Sequence, residues 1–163
     1  MSSTDNFLAN NARYAESFGK GDLPIRPANR AAIVACMDAR IETGRLLGLE
    51  EGDAHVIRNA GGVVTDDVLR SLVISQRLLG TEEIILIHHT DCGMVTFRDD
   101  DIKDAIEAET GIRPSFALES FPDIEEDVRQ SIRRIRANPF IPIKDKIRGF
   151  IYDVTTGQLN EVE

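Results

Sequence analysis

Only two cysteines occur in 163 residues, no apolar run approaches a membrane span, and positive charge is in deficit. Each shortage excludes something. A span needs about 18 uninterrupted apolar residues, so no transmembrane helix is expected. With 19 Lys and Arg against 28 Asp and Glu, the formal net charge is −9. That balance argues against nucleic acid or an anionic membrane as partner, because both attract a positive surface. Residues 1–11 lack a basic stretch followed by an apolar core, so no signal peptide is read there and a cytoplasmic location is expected. A cytoplasmic chain keeps its thiols reduced, and the Asp, Arg and His beside these cysteines have no part in a disulfide. The remainder is ordinary for a globular protein, 42% apolar and 29% charged, and long enough to bury a core as one domain.

The central part of the chain alternates strand and helix patterns. Ala31–Cys36 is a short apolar run suited to a strand buried on both faces. A short helix is expected over 41–47, stopped by Gly48, and a second strand over 54–58, followed by the turn Asn59, Ala60, Gly61, Gly62. Thr65 is a candidate N-cap, with Asp66 and Asp67 in the first turn of a helix over 66–79 and Gly80 just past its end. Residues 83–88 then read as a strand. This β-α-β-α-β order predicts an α/β fold with a central, mostly parallel sheet flanked by helices. Further on, 99–109 reads as an acidic helix and 122–137 as an amphipathic one, with Ile124, Val128, Ile132 and Ile135 on one face. The segments 146–154 and 158–162, joined through Thr155, Thr156 and Gly157, suggest a terminal hairpin.

Residues 1–28 form an N-terminal helical arm in this reading, and 29–163 a single catalytic domain. In the arm Phe7, Leu8, Ala12, Tyr14, Ala15 and Phe18 recur at loosely helical spacing until Gly19 and Gly21. Such an arm has to bury its aromatic side. Packing on its own domain and packing on a second subunit both satisfy that need, and the second is preferred.

Both cysteines lie in short polar motifs that follow apolar runs. Cys36, Met37, Asp38, Ala39 and Arg40 follow the first strand; His89, Thr90, Asp91, Cys92 and Gly93 follow the third. Two thiolates and one imidazole are three of the four ligands of a tetrahedral Zn²⁺ site, and a fourth position left exchangeable is the catalytic arrangement. In a parallel sheet of this connectivity, ligands collect where the strand order reverses, outside the carboxyl ends of the first and third strands. That topology brings together two motifs more than fifty residues apart. If the chain stays extended past Cys36, then Asp38 and Arg40 leave on the same side and form a charge-assisted pair that keeps Asp38 ionised. Two thiolates neutralise Zn²⁺, so a bound water ionises less readily than on three histidines, and activity is expected to rise above neutral pH.

Cys36-x-Asp38-x-Arg40 with His89-x-x-Cys92-Gly93 resembles the β-class carbonic anhydrases, most closely the short mycobacterial-type members. The likeness extends through Arg58, Asn59, Ala60 and Gly61 and covers residues 30–95. It implies zinc held by Cys36, His89 and Cys92. It implies that Asp38, paired with Arg40, either accepts a hydrogen bond from zinc-bound hydroxide or becomes the fourth ligand of a closed site. The implied reaction is reversible hydration of CO₂ to bicarbonate and a proton. The expected substrate pocket comprises Gly61, Gly62, Val63 and Gly93, with Val64 as a further apolar neighbour, and the basic unit is a homodimer or higher homo-oligomer with exchanged arms. Ala39 stands where many members have Ser, and Gly62 where many have a polar residue.

Several residues have plainer readings. His55 is a candidate proton relay, yet a lone His on a strand is usually structural. His88 lacks the His-x-x-Cys spacing and reads as a core or supporting group. Asp66 and Asp67 serve a helix terminus; Arg133, Arg134 and Arg136 form a solvated face; Asp91 is an exposed loop residue or orients His89. Two other functions fit the same motifs. One is hydrolysis of carbonyl sulfide or carbon disulfide, which are linear like CO₂. The other is a non-catalytic structural or sensory zinc site. A thiol redox role fits poorly without a Cys-x-x-Cys pattern.

Overall fold

All six residues of the run Ala31–Cys36 are buried, as a strand covered on both faces requires. In the computed structural model, which describes residues 2–163, this run is β1. With β2 (Ala54–Asn59), β3 (Glu83–His89), β4 (Ile147–Tyr152) and β5 (Leu159–Val162) it forms a sheet ordered β2-β1-β3-β4-β5. The first four strands run parallel, and β5 returns antiparallel to β4 as the expected hairpin. Because β2 lies on one side of β1 and β3 on the other, the order reverses at the β1–β3 pair. A crevice opens there beyond the carboxyl ends. The register sets Ala35 beside Ile87, Cys36 beside Asn59 and His89 beside Tyr152.

Five α-helices accompany the strands among the described residues: α1 (Ser3–Glu16), α2 (Thr43–Leu47), α3 (Asp66–Arg77), α4 (Asp99–Thr110) and α5 (Ile124–Ala137). One sheet face, through Ala32, Val34, Ile84 and Leu86, packs with Val68 and Leu72 of α3 and Ile135 of α5. The other presents Ile33, Ala35 and Ile87 to Leu46 and Leu47 of α2. Each fully buried aliphatic side chain contributes about 1.5–3 kcal/mol over its exposed state. The helix ends follow local chemistry. Thr65 caps α3 by accepting from the Val68 amide, and Asp123 caps α5 by accepting from the Glu126 amide. Arg134 and Arg136 sit in the last turn of α5, where the helix dipole favours cations. The helix expected over 41–47 begins only at Thr43, since residues 38–41 form a turn closed by the Ile41 amide on the Asp38 carbonyl at 3.0 Å.

Helix α1 opens with a reciprocal cap: the Asp5 amide donates to Ser2 Oγ, and the Ser2 amide to Asp5 Oδ2. None of its residues is buried, and Phe7 and Leu8 stand 68% and 65% exposed. Its root is fastened to its own chain, where Tyr14 Oη donates to Glu51 Oε1 at 3.0 Å and Lys20 pairs with Glu50 and Glu51. Met1, the first residue of the arm, lies outside the described residues.

Helix α5 approaches β4 so closely that a Cβ on Gly149 would stand 2.2 Å from Val128 Cγ1. Gly149→Ala is expected to lower stability by about 1–3 kcal/mol through overpacking. In urea unfolding, Val128→Ala in the same chain should recover part of that loss, a coupling that a double-mutant cycle measures.

Candidate metal centre

Strand β1 ends on Cys36 and β3 on His89, and the turn after β3 returns Cys92 to the same crevice. All three residues are buried, and their sulfur and nitrogen ligand atoms lie within 4.8 Å of one another. His89 Nδ1 lies 2.8 Å from the Thr90 carbonyl, an acceptor, so Nδ1 carries the proton and Nε2 the lone pair. That Nε2 is buried with no hydrogen-bond partner among the described residues. An orphaned lone pair beside two sulfurs is what an absent cation would satisfy. The residues fit a soft, tetrahedral metal ion.

The hydrogen bond from Cys92 is the main reason that the Cys36 thiol is lowered to about 4, against the opposing effect of burial, with His89 assisting. The same contact pushes Cys92 well above the usual thiol range, and burial adds to it. For His89, burial favours the neutral ring, but the negative charge of Cys36, with the Thr90 carbonyl and Asp38, outweighs it and raises the pKa.

Beside the trio, Asp38 and Arg40 do form a pair, but not on an extended strand. The Arg40 amide donates to Asp38 Oδ1 at 2.8 Å, closing a tight turn that folds the arginine back onto the carboxylate. Arg40 Nε donates to Oδ1 at 2.9 Å and Nη2 to Oδ2 at 2.8 Å, a bidentate pair. This grip holds the Asp38 carboxyl far below the usual carboxylate range. Asp38 Oδ2 stands 3.8 Å from His89 Nε2, at the side of the trio. Arg40 also donates through Nη1 to Asp91 Oδ2 at 2.7 Å and through Nη2 to the Asp91 carbonyl at 3.0 Å, bridging the two motifs. Asp91 therefore anchors Arg40 rather than orienting His89.

Arg58, at the end of β2, donates two hydrogen bonds to the Cys36 carbonyl and one to the Asp38 carbonyl. It secures the backbone that carries one cysteine and the aspartate. An apolar cluster containing both cysteines, Ile41, Val63, Met94 and Phe121 closes the inner side. Gly61 and Gly62 both have positive φ, where a side chain is strained. A Cβ on Gly62 would sit 2.8 Å from the Cys36 amide nitrogen, so this glycine admits the close approach of the turn to β1. Around Gly93, by contrast, a Cβ would meet nothing within 4 Å. Of the four residues expected to line a pocket, Gly93 fronts open space, Val63 joins the apolar cluster, Gly61 lies against Phe121, Val63 and Met94, and Gly62 against β1. Val64 belongs instead to the main core between the sheet and α3.

His55 takes its structural reading rather than that of a relay. It is the second residue of β2, paired with Ala32 at the amino end of β1, whereas the trio gathers at the carboxyl end. Its Nδ1 meets Ser75 Oγ at 2.7 Å, and Ser75 meets Thr81, a chain that joins α3 to the sheet. His88 is buried against Asp127, Nε2 to Oδ2 at 2.6 Å. Asp127 was not marked by any motif, but its position three residues after Ile124 places it on the apolar face of α5. An acid there signals a buried partner. Arg134 pairs with Asp66 and Glu119, and Arg133 with Glu126, as a solvated face would.

Comparison with known proteins gives one consistent picture. A family model described as carbonic anhydrase matches residues 31–159. The chain is 65% identical over 162 residues to β-carbonic anhydrase 1 of Mycobacterium tuberculosis, covering 99% of each. A carbon disulfide hydrolase of Acidithiobacillus thiooxidans is 36% identical, over 82% of this chain and 77% of its own. The crystal structure of a carbonic anhydrase from Streptococcus mutans superposes with a TM-score of 0.93 at 46% identity, covering 100% of this chain and 99% of that one.

Metal uptake should be linked to pH. A metal ion needs both sulfurs as thiolates, and near neutrality Cys92 still holds its proton while Cys36 does not. Binding then displaces about one proton, so affinity should rise about tenfold per pH unit. The slope should steepen in mild acid, where His89, with its raised pKa, must also release a proton. Zinc competition titrations from about pH 5 to 8 check both slopes, and Cys92→Ser should abolish stoichiometric binding.

Proposed function

The chain belongs to the carbonic anhydrase family, to its β class, and from that premise we infer how its own residues carry out the reaction. It is a carbonic anhydrase, catalysing reversible hydration of CO₂ to bicarbonate and a proton. The observation that carries the assignment of its centre is the buried Cys36–His89–Cys92 trio with an unpaired His89 Nε2, set beside the Asp38–Arg40 pair. Two thiolates and an imidazole favour Zn²⁺ over harder cations. When bound there, zinc supplies a Lewis acid that makes water nucleophilic near neutral or mildly alkaline pH.

The protein's part is positioning and proton handling. Asp38 stays ionised because Arg40 holds both of its oxygens, and its Oδ2 borders the trio. There it accepts a hydrogen bond from the attacking water and fixes the remaining lone pair toward the substrate. Turned inward, the same carboxylate would join Cys36, His89 and Cys92 in holding the metal and would close the site. Arg40, tied to Asp91, sets which of the two Asp38 adopts. Val63 offers an apolar side for CO₂, which cannot compete for hydrogen bonds, and Gly93 leaves space for it; Gly61 and Gly62 complete the pocket. The linear sulfur analogues suit the same geometry, and the A. thiooxidans relative named carbon disulfide hydrolase makes carbon disulfide hydrolysis the second reading. Release of hydrogen sulfide from that substrate, measured against CO₂ hydration, ranks the two.

Stopped-flow CO₂ hydration on protein with one zinc per chain should show turnover that rises from about pH 7 to 9. Asp38→Asn, which removes the charge but keeps the shape, should lower kcat/KM by about 10²-fold or more with zinc retained. Zinc-loaded protein inactive at every pH would overturn this assignment of the centre.

Residues 1–28 are read as an arm that docks on a second copy, with 29–163 as the catalytic domain. The exposed Phe7 and Leu8 and the fastened root at Tyr14 and Lys20 support that reading. Among the described residues no helix is long and apolar enough to cross a membrane, and a cytoplasmic homodimer or larger assembly is the proposed state. Deleting residues 2–16 should shift sedimentation from dimer or larger toward monomer while the sheet's circular dichroism is kept.

A further inference from the structure

The first acid of α4 does something unusual for its place. An aspartate in the first turn ordinarily serves its own helix's free amides. Asp99 instead reaches across to a loop some twenty residues later. Its Oδ2 accepts from the Leu118 amide at 2.8 Å and the Glu119 amide at 3.1 Å, and its Oδ1 from the Ser120 amide at 2.9 Å. Against the opposing effect of burial, these bonds lower its carboxyl to about 2. The loop is irregular and includes Glu119 at φ 62°, a conformation that only an external hold makes tolerable for a side-chain-bearing residue.

Phe121 comes directly after the three held amides. Its own amide donates to the Met94 carbonyl at 3.3 Å, and its ring is 5% exposed. The ring belongs to the apolar cluster that contains Cys36, Cys92, Val63 and Met94. A cleft of about 670 Å³ lined by residues 95–101 and 120–122, Asp99 and Phe121 among them, lies alongside. Phe121 therefore borders both an open cleft and the apolar cluster that holds the two cysteines. The ring packs close over Gly61, where an added Cβ would stand 3.0 Å from Phe121 Cε1. The His88 ring, held by Asp127, backs it at a centroid distance of 5.5 Å.

We propose that Asp99 is a positioning residue for CO₂ hydration: by holding the amides of Leu118, Glu119 and Ser120, it fixes Phe121 as the apolar wall of the metal pocket. Asp99 touches neither the ligand atoms nor Asp38. It acts through Phe121, keeping bulk water out of the cluster on the side where an apolar substrate has to wait. The inference rests on the carbonic anhydrase reading of the centre.

The test is a cycle of Asp99→Asn and Phe121→Leu on zinc-loaded protein. The carboxamide introduced by Asp99→Asn would present one oxygen where two accepted, and its NH₂ would oppose a loop N–H. Hydrogen exchange at the amides of Leu118, Glu119 and Ser120 should accelerate. Zinc should remain at one per chain, and kcat/KM for CO₂ should fall about tenfold, while kcat, read at high substrate, changes less than twofold. Because both changes act on one wall, the double variant should be no worse than Phe121→Leu alone. If Asp99→Asn does not fold, the cycle is run in a Glu119→Gly background, where glycine accepts the left-handed conformation without the hold. Unchanged kcat/KM, losses that multiply, or a fall in zinc content would each overturn the proposal. Wild-type protein that fails to hydrate CO₂ would overturn the reading of the centre instead, a result the exchange data do not mimic.

Discussion

Strands Ala31–Cys36 and Glu83–His89 pair side by side and in parallel, so they end at the same edge of the sheet. Everything at the metal centre depends on this pairing. It sets Cys36 and His89 at neighbouring strand ends although more than fifty residues separate them, and the turn after His89 returns Cys92 within reach. The pairing is itself enforced by burial, because the central residues of both strands are covered on both faces. Slipping one strand by a residue would exchange its two faces, each matched to different helices. The precision of the centre is thus inherited from the core, where it is protected from loop motion.

The polar groups around the trio form a hierarchy of restraints. Arg58 grips the backbone of Cys36 and Asp38, Arg40 grips the Asp38 carboxylate, and Asp91 grips Arg40. Charge-assisted bonds of this kind are stronger than neutral ones, and here they bridge motifs from two strands. Many surface ion pairs elsewhere, such as Arg148 with Glu161 or Arg70 with Asp67, are exposed and contribute little individually. The difference is placement: the pairs at the sheet's edge fix the residues beside the trio, whereas the others mainly solvate a chain rich in both charges.

The strand and helix alternation was legible because buried parallel strands read as continuous apolar runs, and because Thr65, Gly48 and Gly80 mark helix ends by their own local chemistry. The trio was legible from ligand type and the topology of a reversed strand order, and the family resemblance agreed with it. Less visible was the turn at Asp38, since a side chain closing onto an amide two residues later leaves an i, i+2 pattern unchanged. His55, second in its strand, lies toward the amino end of the parallel sheet, and the register agrees with its structural reading. Asp99 and Asp127 carried no motif, and only contacts across the chain reveal what they hold.

By itself, the sequence determined the chemistry of this protein: two thiols, an imidazole and an Asp–Arg pair follow apolar strands and specify a soft-metal hydration site. Those properties reside in side-chain type and short-range order. The tertiary structure decided what each remaining group faces. It made Asp91 an anchor for Arg40, brought Gly62 close against β1, and set Phe121 in the apolar cluster that holds both cysteines. Such roles arise from contacts between distant segments packed at crystal-like density, which no local pattern encodes.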